Sequence, residues 1–279
     1  MAEDTPLRDD DFDDGKDRPR RRRRPRDDDD SDDRPRKKAG GSNTGVIVGI
    51  VVGVLALSMC ACVPVMIGLL LPAVQSVRTA AARVNSQNNM KVIGLAMHNQ
   101  ESATGSFQGP FAPGATNQDH SFRVGLLPYM GQDGLYKQID LMQPWDSLKN
   151  APATGTSIKD FLDPANPASV GTATPYRLFV GPGAIFDGTA KMPTTSSITD
   201  GTSNTIMAVS ATQTVPWAKP QELPYGPGIP LPPLGSTPAA DGFIALMADG
   251  SVRYIRKTIP NADLRSLIEK ADGRVVNIP

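Results

Sequence analysis

The sequence predicts an α+β chain: a single transmembrane helix that continues into a long helix packed on an antiparallel β-sheet, with many loops. Three observations carry this. One apolar run is free of charge, an amphipathic helical pattern follows it directly, and the remainder is a set of short apolar runs separated by Gly and Pro.

The net charge of zero hides an uneven distribution. The first forty residues hold 13 of the 29 Lys and Arg and 14 of the 29 Asp and Glu. Leu7 and Phe12 are their only large apolar side chains, too little to offset the entropy of ordering the backbone. Residues 1–45 are therefore expected to be a disordered, charged, cytoplasmic tail. Its Arg run, Arg20 to Arg24 with Arg26, sits between Asp blocks. Those aspartates offset the basic charge and no aromatic interleaves for base stacking, so no nucleic-acid partner is expected.

Residues 46–71 consist of Val, Ile, Leu, Met, Ala, Gly and Cys, broken only by Ser58 and Pro64. A helix rises about 1.5 Å per residue, so roughly 20 apolar residues cross the hydrocarbon core, and this run exceeds that. A cleaved secretory signal has an apolar core of only about 7 to 15 residues. The expectation is a single-pass anchor with the lipid bilayer as its partner. Arg34, Arg36, Lys37 and Lys38 precede the span, while Arg78 and Arg83 follow it, which places the N-terminus in the cytoplasm and residues 72–279 outside. Both cysteines, Cys60 and Cys62, fall in the span, so the outer domain has no disulfide and no Cys-based metal cluster.

After Pro72, Val74, Val77, Ala81 and Val84 recur at three or four residues, and Ile93 and Met97 resume the spacing. This predicts a helix ending near Thr104 and Gly105, loosened at Asn88 and Asn89, with the Val74 to Val84 stripe covered by the domain that follows. From position 110 onward lie 20 of the 26 prolines, so the later elements are short. Strands are predicted at 122–127, 176–180, 205–209, 243–248 and 251–255. The last two flank Asp249-Gly250, a two-residue hairpin turn. Residues 216–238 contain eight prolines and read as a loop. A short helix capped by Asn261 carries Leu264, Leu267 and Ile268 toward Asp272-Gly273.

LLLPAVQSVRTAAARVNSQNNMKVIGLAMHNQESATGSF at 69–107 resembles the signature of a bacterial family of pilin-like envelope proteins of unknown function, also catalogued as solute-binding. HSFRVGLLPYMGQDGLY from His120, PWDSLKN from Pro144, ITDGTSNTIMAVSA from Ile198 and ADGSVRYI from Ala248 resemble further parts of it. The resemblance implies the fold of type IV pilins and secretion pseudopilins. It also implies a bacterial inner-membrane location and work through envelope protein partners. Two features differ from it. Prepilins carry a short leader, a Gly before the cleavage point and a Glu five residues into the mature helix, whereas no Glu occurs in 46–71. A retained N-terminus is the expectation. The family's C-terminal module carries a His nine residues before an Asp-Gly, and the matching position is Ala239.

No catalytic, cofactor-binding or metal-binding residue is assigned from the sequence, and no cofactor is expected. His98 and His120 are the only histidines, and neither lies in a recognisable nucleophile elbow, zinc pair or phosphate loop. Asp200-Gly201-Thr202-Ser203-Asn204 and Asp187-Gly188 offer oxygen atoms for a cation, but turn-making explains them as well. Trp145 and Trp217, both beside proline, read as packing residues. The expected function is a non-enzymatic, pseudopilin-like envelope protein, the alternative an extracytoplasmic module for a solute or polysaccharide.

Overall fold

The computed structural model describes residues 43–112, 114, 119–189 and 192–276, with backbone alone at 61–65 and 67–69. The expected tail at 1–45 lies outside this description except for its last residues. The chain divides into two units, Met1–Cys60 and Ala61–Pro279.

Helix α1, Thr44–Thr104, runs through both Pro64 and Pro72. It stops where Gly105 adopts a left-handed φ of 82° and its N–H bonds the Glu101 carbonyl at 2.7 Å. Among the described residues no helix is long and apolar enough to cross a membrane. The part of α1 before residue 61 with described side chains, 44–60, falls short of the roughly 20 residues a span requires. The rest of the expected span includes side chains outside the described residues. In the first unit, Val46, Ile50, Val54 and Leu57 are each more than half exposed.

In the second unit α1 has no break at Asn88 or Asn89. Asn89 instead donates its side-chain amide to the carbonyls of Leu162 (2.7 Å) and Lys159 (3.3 Å), which pins the helix to the chain below it. The buried face of α1 is Ser86, Asn89, Met90, Ile93, Ala96, Met97 and Gln100. The stripe predicted from Val74 to Val84 is not covered: Val74, Val77 and Val84 are 47%, 67% and 53% exposed. Polar residues occupy the covered face because each finds a partner there. The Ser86 hydroxyl bonds the buried Asp163 carboxylate, and Gln100 Oε1 accepts the Gln108 N–H at 2.7 Å.

Four antiparallel strands form the sheet, in the order β1 (Ala173–Arg177), β3 (Ile206–Pro216), β5 (Gly242–Met247), β6 (Val252–Arg256). Successive side chains of a strand point to opposite faces, and β5 shows the result. Ile244 and Leu246 join the core that contains Met90, Ile93 and Met97 of α1. Phe243, Ala245 and Met247 join a second core with Leu264, Leu267 and Ile268 of α5, Asn261–Ile268. Every residue of β5 is buried, so the sheet is the middle of three layers.

The other local expectations divide. β5 and β6 do form a hairpin at Asp249-Gly250, but the connection spans residues 248–251 and closes with Met247 N–H on the Ser251 carbonyl. Asp249 Oδ1 accepts the Ser251 N–H, and Gly250 has a φ of 82°. The strand expected at 122–127 is α2, Phe122–Leu126, begun by Ser121, whose hydroxyl accepts the Arg123 N–H. Its five residues are all buried, so an apolar run this short carries no period to separate helix from strand. Two short helices follow, α3 (Asp133–Tyr136) and α4 (Ala151–Thr154). The proline-rich segment is mostly loop, with β4 (Leu223–Pro224) pairing in parallel to β2 (Phe179–Val180). α5 begins at Asn261, with Pro260 in the capping position, and ends at Ile268 rather than at Asp272.

Candidate functional site

The first feature is the outer side of α1. Val74, Val77, Val84, Val92 and Leu95 are exposed, Leu95 by 62%. At about 3.6 residues per turn they fall on one side of the helix, opposite Met90, Ile93 and Met97. α1 is thus apolar on two sides, and its own domain covers one.

Beside this helix lies a cavity of about 330 Å³ lined by Arg83, Ser236, Ala239, Asp241 and Tyr254 among others. Arg83 reaches from α1 to the start of β5, its Nη2 3.1 Å from Asp241 Oδ1 and its guanidinium 3.9 Å from the Tyr254 ring centre. The Tyr254 hydroxyl donates to the same carboxylate oxygen. That bond, with Arg83 beside it, holds the Asp241 carboxyl below its ordinary range. Burial and the Asp241 carboxylate push Tyr254 up to about 12. Ser236 donates to Asp163 Oδ2 at 3.0 Å, not to an imidazole. The lining therefore offers donors and acceptors to a polar guest, without a nucleophile set beside a histidine. Ala239 lines this cavity at the position where the resembled module carries a His.

A smaller cavity of about 230 Å³ has Glu222 on its wall among Pro110, Phe111, Val180, Pro220 and Pro224. Behind it is a buried ionic cluster. Arg123, wholly buried, sets Nη1 3.0 Å from Glu222 Oε1, and its Nε and Nη2 both donate to the Tyr176 carbonyl. Arg177 donates to the backbone carbonyls of Gln221 and Glu222. Burial pushes the Glu222 carboxyl up, opposed by Arg123, the Leu178 N–H and Arg177. Burial likewise lowers Arg123, opposed by Glu222. With every strong donor engaged, the cluster is a clamp between α2, β1 and the proline-rich segment.

The residues singled out from the sequence stand apart from these features. His98 Nδ1 is 3.5 Å from Glu101 Oε2, with its ring against Phe107. His120 is buried, its Nε2 2.7 Å from the Gln143 carbonyl. Both Asp200 oxygens accept backbone N–H groups, from Asp272 (2.6 Å) and Gly273 (2.9 Å), so this carboxylate ties down the C-terminal segment. Asp187 bonds Thr189 and Lys270, and the Thr189 bond leads in holding its carboxyl low. Among the described residues no group of three His, Cys, Asp or Glu side chains is placed to hold a metal ion. Trp217 is fully buried, stacked on Phe161, and donates Nε1–H to the Thr156 carbonyl. Trp145 packs half-buried against the core. The sequence points to Arg83 only as a charge flanking the expected span, and to none of Asp241, Tyr254, Arg123 and Glu222 as site residues. Only Arg123 carried a local signal, as a lone charge inside the apolar run FRVGLL.

No curated protein matches the chain, and no solved structure does. Residues 75–196 match the model of a family described as "Protein of unknown function (DUF1559)", which also carries a bacterial solute-binding label.

Proposed function

We propose that this chain is a non-enzymatic, membrane-anchored envelope protein of pseudopilin-like build, acting through protein–protein contacts in secretion or surface assembly. The observation that supports it is the second apolar side of α1. Val77, Val84 and Leu95, each more than half exposed, form a stripe that the domain leaves open, and uncovered apolar stripes mark interaction surfaces. In this reading 46–71 crosses the inner membrane of a bacterium and the sheet domain lies outside it.

A photo-crosslinking side chain placed at Val77 or Leu95 of the full chain in native membranes tests the reading. Adducts with protein partners or a second copy are expected at both positions, and Val77→Asp should suppress those formed from Leu95. Adducts only with lipid, or none, would remove the basis for the proposal. The anchor has its own test, since alkaline carbonate washing should leave the chain in the membrane pellet; release into the wash would sink that part.

The second reading is an extracytoplasmic module for a solute or polysaccharide. It draws on the solute-binding label of the matched family and on the polar cavity beside Arg83 and Asp241.

A further inference from the structure

The two edges of the sheet differ. β1 is covered: its last four residues are buried, and Arg123 donates Nε and Nη2 to the Tyr176 carbonyl. β6 has no strand beyond it. Its pairing with β5 determines which backbone groups are left over. Lys257 N–H bonds the Asp241 carbonyl, and Met247 N–H bonds the Ser251 carbonyl. The register runs unshifted between them, with Phe243 opposite Ile255 and Ala245 opposite Arg253, so residues 251, 253, 255 and 257 are the ones that bond β5. Val252, Tyr254 and Arg256 therefore direct their N–H groups away from the sheet, beside the carbonyls of Val252 and Tyr254. Among the described residues none of these groups has a hydrogen-bond partner, whereas the Arg256 carbonyl accepts the Ile259 N–H. Only Ile255 of the strand is buried, so the edge is within reach of another chain.

Arg253 and Arg256 lie on opposite faces of this edge, and neither has an ion-pair partner among the described residues. Asp241, whose charge reaches Arg256, is bonded to Arg83 and Tyr254. Residues 250–262 contain no Asp or Glu. An open edge is a template for a further strand, and charges along it decide which strand it accepts. They oppose a second copy. In a two-fold pair centred on Tyr254 the two Arg253 side chains would be diagonal neighbours on one face, roughly 7 to 8 Å apart. The same charges attract a segment of opposite sign. We propose that β6 docks an extended acidic segment of a partner protein, which adds a fifth strand to the sheet and sets carboxylates beside Arg253 and Arg256. Main-chain bonds to Val252, Tyr254 and Arg256 hold the segment, and the arginines select it. The outer side of α1 takes no part, so this inference stands whether or not that side docks a partner.

The test is hydrogen exchange on the full chain in lipid nanodiscs, read at single-residue resolution. The probe is a short Thr- and Val-rich peptide with two Glu three residues apart, as Arg253 and Arg256 are, and the control carries Lys in their place. In the free chain the Val252, Tyr254 and Arg256 amides should exchange fast and the Arg253 and Ile255 amides slowly. The Glu peptide should slow the fast set, and should bind about tenfold more tightly than the Lys peptide, as expected for two exposed charge pairs. Arg253→Glu combined with Arg256→Glu should reverse that order, with slow exchange at Ile255 showing that the variant is folded. Should it fail to fold, salt gives the same information, because the wild-type preference must shrink as ionic strength rises. Outward amides already slow in the free chain, protection that grows with protein concentration in the absence of peptide, no protection by the Glu peptide, or equal affinity for the two peptides would each overturn the proposal.

Discussion

Arg123 and Glu222 meet at 3.0 Å with side chains 0% and 5% exposed, joining α2 to the proline-rich segment across ninety-nine positions of sequence. A buried charge left alone is far more costly than a buried pair. Glu222→Ala should therefore destabilise the domain by about 3 to 5 kcal/mol in urea unfolding. Arg123→Met combined with Glu222→Leu should recover much of that loss, because both charges then disappear. Equal destabilisation by the single and double variants would show that the pair is not coupled.

A pH dependence follows from the Arg83, Asp241 and Tyr254 group. The Asp241 carboxyl is held below its usual 3.8. Its bonds therefore contribute stability that is complete above that value and lost as pH falls through the lowered one. Tyr254 is raised to about 12 from 10.0, so its bond persists at pH 10 and is lost as pH rises through about 12. Phenolate absorbance should show one fewer high-pH titration in Tyr254→Phe. In Asp241→Asn the Tyr254 midpoint should move down toward 10.0. An unchanged midpoint would mean that Asp241 does not hold the phenol.

α1 packs tightly on the sheet at Gly94, where a methyl group would lie 2.6 Å from Leu246 Cδ1. Ala is the better helix former by about 0.5 to 1 kcal/mol, so Gly94→Ala would stabilise an isolated helix. In the folded domain it should instead cost about 1 to 3 kcal/mol by overpacking. Leu246→Val should relieve part of this in the double variant, as read from thermal unfolding. A stabilised Gly94→Ala single variant would show that Leu246 gives way freely.

Two glycines with positive φ separate strain from collision. Gly181 has φ 146° and a Cβ there would lie 1.9 Å from the Tyr225 carbonyl oxygen, whereas Gly171 has φ 62° and open space around it. Gly181→Ala should abolish folding or come close to it. Gly171→Asn should cost less than about 1 kcal/mol, since Asn tolerates the left-handed region. Soluble yield and proteolysis of the two variants side by side decide the matter.

Some features that depend on local pattern were legible in the sequence, whereas the short apolar run at 122–127 was not, since it forms α2 rather than a strand. The end of α1 at Gly105, the β5–β6 hairpin around Asp249-Gly250 and the packing of Leu264, Leu267 and Ile268 were all legible. The burial of α1 was read correctly at Ile93 and Met97 but not at Val74 to Val84. Val74, Val77 and Val84 stay exposed, whereas Ser86, Asn89 and Gln100 are covered beside Met90, Ile93 and Met97, because Asp163, Leu162 and Gln108 supply their partners. Asp163 and Leu162 lie more than seventy positions from Ser86 and Asn89, and a rule based on hydrophobicity alone cannot anticipate them. Arg123 stands out locally as a lone charge in an apolar run, but its partner Glu222 lies 99 positions away, and Arg83 is 158 positions from Asp241, so neither pairing is legible in the sequence.

The pins along α1 also set an order of events during synthesis. Asn89 waits for Leu162, 73 residues later, and Ser86 for Tyr176, 90 residues later. Met90, Ile93 and Met97 share a core with Leu246 of β5, which emerges near the end of the chain. While the ribosome is still making the sheet, the helix has neither of its apolar sides covered. At a synthesis rate of about 5 to 20 residues per second, that interval lasts many seconds. A nascent chain of this design therefore presents a sticky helix well before its own sheet exists to receive it. Whatever shields α1 in that interval, be it a chaperone, a neighbouring nascent chain or the surface of a bilayer, takes part in determining the yield of folded protein.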